Sequence, residues 1–314
     1  MRAALTAIAD ELKRLRSRGV KSVPVSAEAL IALRRAVEAR QATAPTPQSA
    51  STRAREEEVP SAAPSSRVEP TPSRAVRPAP IVAPAPAAPQ LPPPPVVTLP
   101  EGDKKTRWDA LYAMVTNDPV CREQVRPGKK VVLGVGNLDA RIFFCGEAPG
   151  AEEEVQGEPF VGPAGQLLTK MILGMGLKRE QVYIGNIMNW RPTLPTPPGQ
   201  PQIGNRPPTA EEMAYCLPYL RAQIDIVNPE LIVALGSTAA QGLFGFGSFK
   251  TLGEIRGRWK PFFEKPVMVT YHPSYILRNP TNRSKRAIWE DLLKVMERAS
   301  LPISEKQRGY FLDK

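Results

Sequence analysis

The chain has 314 residues, a formal net charge of +11, 42% hydrophobic residues and three cysteines. So few, scattered cysteines exclude a secreted disulfide framework, and no apolar run reaches the roughly 18 residues needed to cross a membrane, so a reducing, cytoplasmic setting is expected. The basic balance suits a polyanionic partner, and the crowding of prolines into residues 41–100 leaves about 200 residues for one folded core.

In chain order, Leu5, Ile8, Leu12 and Leu15 recur at helical spacing ahead of Gly19, and Leu30, Leu33 and Val37 form a second stripe behind Ser26. Residues 1–40 therefore read as two short amphipathic helices, either paired with each other or docked on an unknown protein partner. Residues 41–103, with APAPAAPQLPPPPVV near their end, read as a disordered, Pro/Ala-rich tether. Residues 104–300 read as the folded domain and residues 301–314 as a C-terminal tail.

Within the domain, RIFFCGEAPG (141–150) looks like a buried strand running into a glycine loop, and GQLLTKMILGMGL gives a helix behind it. QVYIGNIMN is the next strand, followed by a proline-rich loop from Arg191 to Pro208. A helix then opens at Thr209 with Glu212 in capping-box spacing. LIVALG (231–236) and VMVTYHPS (267–274) are further strands, and residues 284–299 make a closing helix. Strand, loop and helix in series predict an α/β fold, a mainly parallel central sheet flanked by helices on both faces in three layers. Such sheets bind ligands at the carboxyl ends of their strands, so the loops after residues 145, 185, 235 and 271 are expected to converge.

Two features stand out at those ends. GEAPGAEEEVQGEPFVGPAGQLL (146–168) combines glycines, prolines and one phenylalanine in a way that suits a rigid, shaped binding loop. His272, the chain's one histidine, sits at a strand end in HPSYILR. Together with YIGNIMNWRP and NRPPTAEEMAYCLPYL, these motifs resemble the type 4 branch of the uracil-DNA glycosylase superfamily. The resemblance covers about Pro119 to Glu297, in register apart from one insertion, and leaves the first hundred residues without a counterpart.

That resemblance implies hydrolysis of the N-glycosidic bond of uracil extruded from DNA, with uracil-containing DNA as partner and a monomer as the acting unit. Phe160 would stack on the flipped base, Asn186 would read its edge, and Gly146 and Ala148 would complete the uracil pocket. His272 would donate a hydrogen bond to uracil O2. Type 1 enzymes have an aspartate where this chain has Ala148, so Glu147 is the first candidate to orient water or crowd a thymine methyl, and Glu153 the second. Gly162, Pro163, Ala164, Ser274 and Arg278 are the expected DNA contacts, with Arg283, Lys285 and Arg286 as a further basic cluster.

Type 4 members hold a 4Fe-4S cluster on four cysteines: a CxxC pair, a third in KCRP and a fourth on the following helix. Here Cys216 is a lone remnant at the fourth position, Trp190 stands at the third, and Cys121 lies near the first pair, displaced by about a residue. Cys145 belongs to a strand. With the ligand set incomplete, neither a cluster nor any other metal or cofactor is expected. Two other functions stay open: a DNA-binding or scaffold protein that has lost catalysis, and a glycosylase for another deaminated base such as hypoxanthine.

Overall fold

The computed structural model describes residues 91–197 and 200–312. The two helices expected in residues 1–40 and most of the expected tether fall outside the described residues. Residues 91–100 lie extended, with Leu91, Val97 and Leu99 packed against the hydrophobic core, and Asp103 caps the first described helix. This end of the expected tether is thus part of the domain, because three apolar side chains spaced along a proline-rich strip find a surface to cover.

Helix α1 (Lys104–Asn117) and the short α2 (Pro119–Gln124) precede the sheet. The strands are β1 (Val135–Gly136), β2 (Ile142–Gly146), β3 (Tyr183–Asn186), β4 (Leu231–Leu235), β5 (Trp259–Phe262) and β6 (Lys265–Thr270). They are ordered β1-β3-β2-β4-β6-β5. The four inner strands run parallel and the two edge strands antiparallel. Between them lie α3 (Ala151–Gln156), α4 (Pro163–Gly174), α5 (Ala210–Val227), α6 (Ser237–Phe244) and α7 (Leu252–Ile255). Helices α8 (Pro273–Arg278), α9 (Asn282–Arg298) and α10 (Glu305–Arg308) follow β6.

Alternation along each inner strand builds two cores. On β2, Phe143 and Cys145 face one layer while Ile142 and Phe144 face the other. The first core packs α1, α5 and α6 through Leu111, Tyr219 and Leu243, and the second packs α4 and α9 through Leu168, Ile172 and Leu292. The continuous apolar runs of the inner strands follow from burial on both faces. Among the described residues no helix is long and apolar enough to cross a membrane.

The expected C-terminal tail is instead docked. Trp289 Nε1 donates to the Gln307 carbonyl at 2.6 Å, Gln307 Nε2 donates to the Gly174 carbonyl at 2.9 Å, and Tyr310 packs beside Trp289. Arg286 donates to the carbonyls of Arg308 and Tyr310 and pairs with Glu290, and Lys285 lies over the Phe311 ring. Arg286 and Lys285 therefore contact the docked C-terminal segment.

Candidate active site

Strands β2 and β3 finish side by side, with Gly146 paired to Asn186. At the end of β6, Thr270 donates to the buried Asp291 carboxylate of α9 at 2.6 Å, and its carbonyl accepts the Gly236 N–H at 2.8 Å. These bonds bring the ends of β2, β3, β4 and β6 around one cleft of about 750 Å3.

Phe160, Asn186 and His272 all line it. The Phe160 ring lies 5.6 Å from the His272 ring, centre to centre, tilted by 32°. A Cβ at Gly146 would fall 2.4 Å from both Asn186 Oδ1 and Phe160 Cζ, so the absent side chain is what lets the aromatic and the amide meet there. Asn186 is only 6% exposed and its Oδ1 accepts no hydrogen bond from the described residues. A buried acceptor left without a donor costs roughly 1–3 kcal/mol, which suits a group awaiting a ligand.

Phe160 holds a left-handed backbone, φ 56°, unusual for an aromatic residue. Two neighbours impose it. Gly165, in the first turn of α4, leaves room for the Phe160 carbonyl, which would lie 1.8 Å from any Cβ there. Glu153, on α3, accepts the N–H groups of Val161 and Gly162 on Oε1, each at 3.0 Å, and that of Gly150 on Oε2 at 3.1 Å. Both oxygens of Glu153, the second candidate to orient water, are engaged by backbone N–H groups, an arrangement that clamps the loop.

His272 caps α8 and accepts the Ser274 N–H on Nδ1 at 3.2 Å, while the Ser274 hydroxyl lies 2.8 Å from the same nitrogen. Arg278 donates to that hydroxyl at 3.1 Å, which turns the hydroxyl proton toward the ring. With Nδ1 accepting, the neutral imidazole carries its proton on Nε2. Burial, aided by the Arg278 charge, pushes the His272 pKa down to about 4, so the ring is uncharged at neutral pH. Ser274, expected to grip phosphate, thus has its hydroxyl occupied between His272 and Arg278.

Burial raises the Glu147 carboxyl above its ordinary value, against the opposing pull of a Thr238 hydrogen bond and the Arg278 charge. The half-buried Ala148 sits beside it, and Gly162, Pro163 and Ala164 line the cleft where α4 begins. Arg278 is exposed at the rim, and among the described residues no carboxylate lies within ion-pair distance of it.

The far wall comes from the proline-rich loop. Arg191 pairs with Glu154 of α3 at 2.9 Å and donates to Asn205 Oδ1 and the Gly204 carbonyl, each at 2.8 Å. Buried Gln202 accepts the Leu194 N–H and donates to the carbonyls of Pro192 and Gly204. Arg206 grips Glu212 with both terminal nitrogens. None of these wall residues was singled out from the sequence. The one available signal was polar side chains among prolines that cannot supply backbone donors of their own.

The family model of the Uracil DNA glycosylase superfamily matches residues 133–293. The chain belongs to this superfamily. It is 46% identical over 165 residues to a type-4 uracil-DNA glycosylase of Thermotoga maritima, covering 52% of this chain and 80% of the relative. A type-4 uracil-DNA glycosylase of Archaeoglobus fulgidus is 41% identical over 162 residues, 49% of this chain and 75% of its own. One from Sulfurisphaera tokodaii is 41% identical over 179 residues, 54% and 76% respectively.

For a superfamily member of this type the iron-sulfur question turns on chemistry. Among the described residues no group of three or more His, Cys, Asp and Glu is arranged to hold a metal ion. Burial pushes the Cys121 and Cys216 thiols far up, Cys121 further so beside Cys216 and Asp118. Cys145 is fully buried on β2, its thiol raised by burial alone. Trp190, with no exposed surface, occupies the third motif position. Two cysteines and an indole do not fit a cluster that takes four thiolates.

Proposed function

We propose that the protein is a uracil-DNA glycosylase that hydrolyses the bond between uracil N1 and deoxyribose C1′, releasing uracil and leaving an abasic site. The observation that carries this reading is the partnerless Asn186 acceptor, buried beside the Phe160 ring and within the same cleft as a neutral imidazole.

Extruding a nucleotide costs a few kcal/mol in stacking and pairing, which the cleft must offset. Phe160 stacks on the extruded ring. Asn186 Oδ1 accepts N3–H and its Nδ2 donates to O4, whereas cytosine offers an acceptor at N3 and a donor at N4, so both contacts become repulsive or unpaired. As the glycosidic bond breaks, its electron pair passes to the base and charge gathers on O2, where His272 Nε2–H donates. A preset donor of this kind is commonly worth about 3–4 kcal/mol.

Water then bonds to the cationic C1′ and loses a proton to the surroundings. Glu147 orients that water and shields the sugar cation. Arg278 meets a phosphate beside the extruded nucleotide, and Gly162, Pro163 and Ala164 let the strand approach α4 closely. All of these groups belong to one copy of the chain, so a monomer suffices.

The test is to incubate the protein with single- and double-stranded oligonucleotides containing uracil, hypoxanthine or no lesion, and to score abasic sites after alkali. Uracil-dependent cleavage is expected. Cleavage of hypoxanthine strands alone would reassign the substrate, and binding without cleavage would make the protein a scaffold.

A further inference from the structure

Three residues at or near the four cluster-ligand positions of the type-4 motif, Cys121, Trp190 and Cys216, converge in space. All three are fully buried in one hydrophobic cluster, and the Trp190 ring lies 6.2 Å from that of Tyr215, the residue before Cys216. At their centre is Asp118, only 9% exposed. It accepts the Cys121 N–H at 2.7 Å on one oxygen, and the Tyr215 and Tyr219 hydroxyls at 2.9 and 2.8 Å on the other. One carboxylate thereby ties the start of α2 to two turns of α5, elements that share no sequence neighbourhood.

We infer that the protein does without an iron-sulfur cluster, and that the Asp118–Tyr215–Tyr219 hydrogen-bond set together with Trp190 braces this region in its place. A buried carboxylate with three donors is stable where a lone one is not, and the two tyrosines supply donors as well as bulk. The brace reaches the active site through the next residue. Arg191 follows Trp190 and binds both Glu154 on α3 and the Gly204–Asn205 wall. Glu154 adjoins Glu153, which sets the turn carrying Phe160. Trp190 is therefore a positioning residue for both sides of the cleft.

The test needs no substrate for its first part, so it stands apart from the glycosylase reading. The full chain is expressed with added iron, reconstituted anaerobically with iron and sulfide, and desalted. Expected are substoichiometric iron, no visible thiolate-to-iron absorption, and a melting temperature indifferent to chelator. Asp118→Asn and Tyr219→Phe are each expected to lower the melting temperature by roughly 3 °C or more. Should Asp118→Asn give no soluble protein, the Tyr219→Phe value decides. For positioning, Trp190→Ala should slow single-turnover excision at least about tenfold with DNA affinity retained, and Trp190→Phe should restore the rate. Stoichiometric iron with visible absorption would overturn the inference, as would Asp118 and Tyr219 variants that melt with the wild type. Equal rates in Trp190→Ala and wild type would remove the positioning role.

Discussion

The Ser274 backbone N–H is directed at His272 Nδ1 across 3.2 Å, so one peptide bond determines which ring nitrogen carries the proton. With its pKa pushed down to about 4 by burial and by Arg278, His272 is uncharged at neutral pH, and its proposed role is that of a neutral donor. Excision should accordingly show no inflection near 6.5, the ordinary histidine value, on a single-turnover pH profile. His272→Ala should slow the chemical step by roughly a hundredfold or more with little change in DNA affinity. The same shift bears on stability. As pH falls from 6.5 toward 4 the unfolded chain takes up a proton that the folded chain refuses, so stability declines across that window. Urea titrations of wild type and His272→Asn should diverge there and run parallel above it.

Asn186→Ala removes the amide proposed to read the base and its unpaired acceptor together. Loss of a hydrogen-bond pair of this kind is expected to reduce uracil excision by about ten- to a hundredfold while the fold keeps its melting temperature. Single-turnover rates beside a thermal melt would check both halves; a variant with undiminished excision removes Asn186 from recognition.

Gly146→Ala introduces a methyl into space already shared by Asn186 Oδ1 and Phe160 Cζ. Either the ring or the amide must withdraw. The rate with uracil DNA is expected to fall more than about tenfold, alongside a destabilisation of about 1–3 kcal/mol for an overpacked site. Chemical denaturation and excision assays on the one variant measure the two effects.

Glu153→Ala strips acceptors from three backbone N–H groups and frees the turn that bears Phe160. Activity is expected to fall by at least about tenfold at every pH, since no proton transfer is involved, and stability by about 1–3 kcal/mol. A rate loss confined to one side of a titration would instead mark Glu153 as an acid or base.

Phosphate contacts are expected to give an affinity that declines linearly in the logarithm of salt concentration. Arg278→Gln should reduce that slope by about one. Fluorescence anisotropy of a labelled duplex over a salt series supplies both slopes, and identical slopes would place Arg278 off the DNA.

Much of this architecture was legible in the chain because the inner strands are short apolar bursts that end in glycine or a polar site. The convergence of Gly146, Asn186, Gly236 and His272 follows from parallel strand order alone. The division of labour among the glutamates did not. Glu152, Glu153 and Glu154 are indistinguishable as a run, yet one is exposed, one clamps a turn and one joins two arginines, according to where α3 happens to face. The docked segments at residues 91–100 and 305–310 were hidden for a different reason. Their composition is that of a linker or tail, and only the surface beneath them supplies the burial that orders them.

Gly146 and Asn186 are register partners on adjacent parallel strands. In the proposed function the choice of pyrimidine would thus be written into the hydrogen-bond ladder of the sheet rather than into a loop. Sliding β3 along β2 by a single residue would send the amide to the opposite face and leave Gly185 or Ile187 in its stead. The proline-rich wall lies outside this ladder, so the spacing between Gly146 and Asn186 does not depend on it.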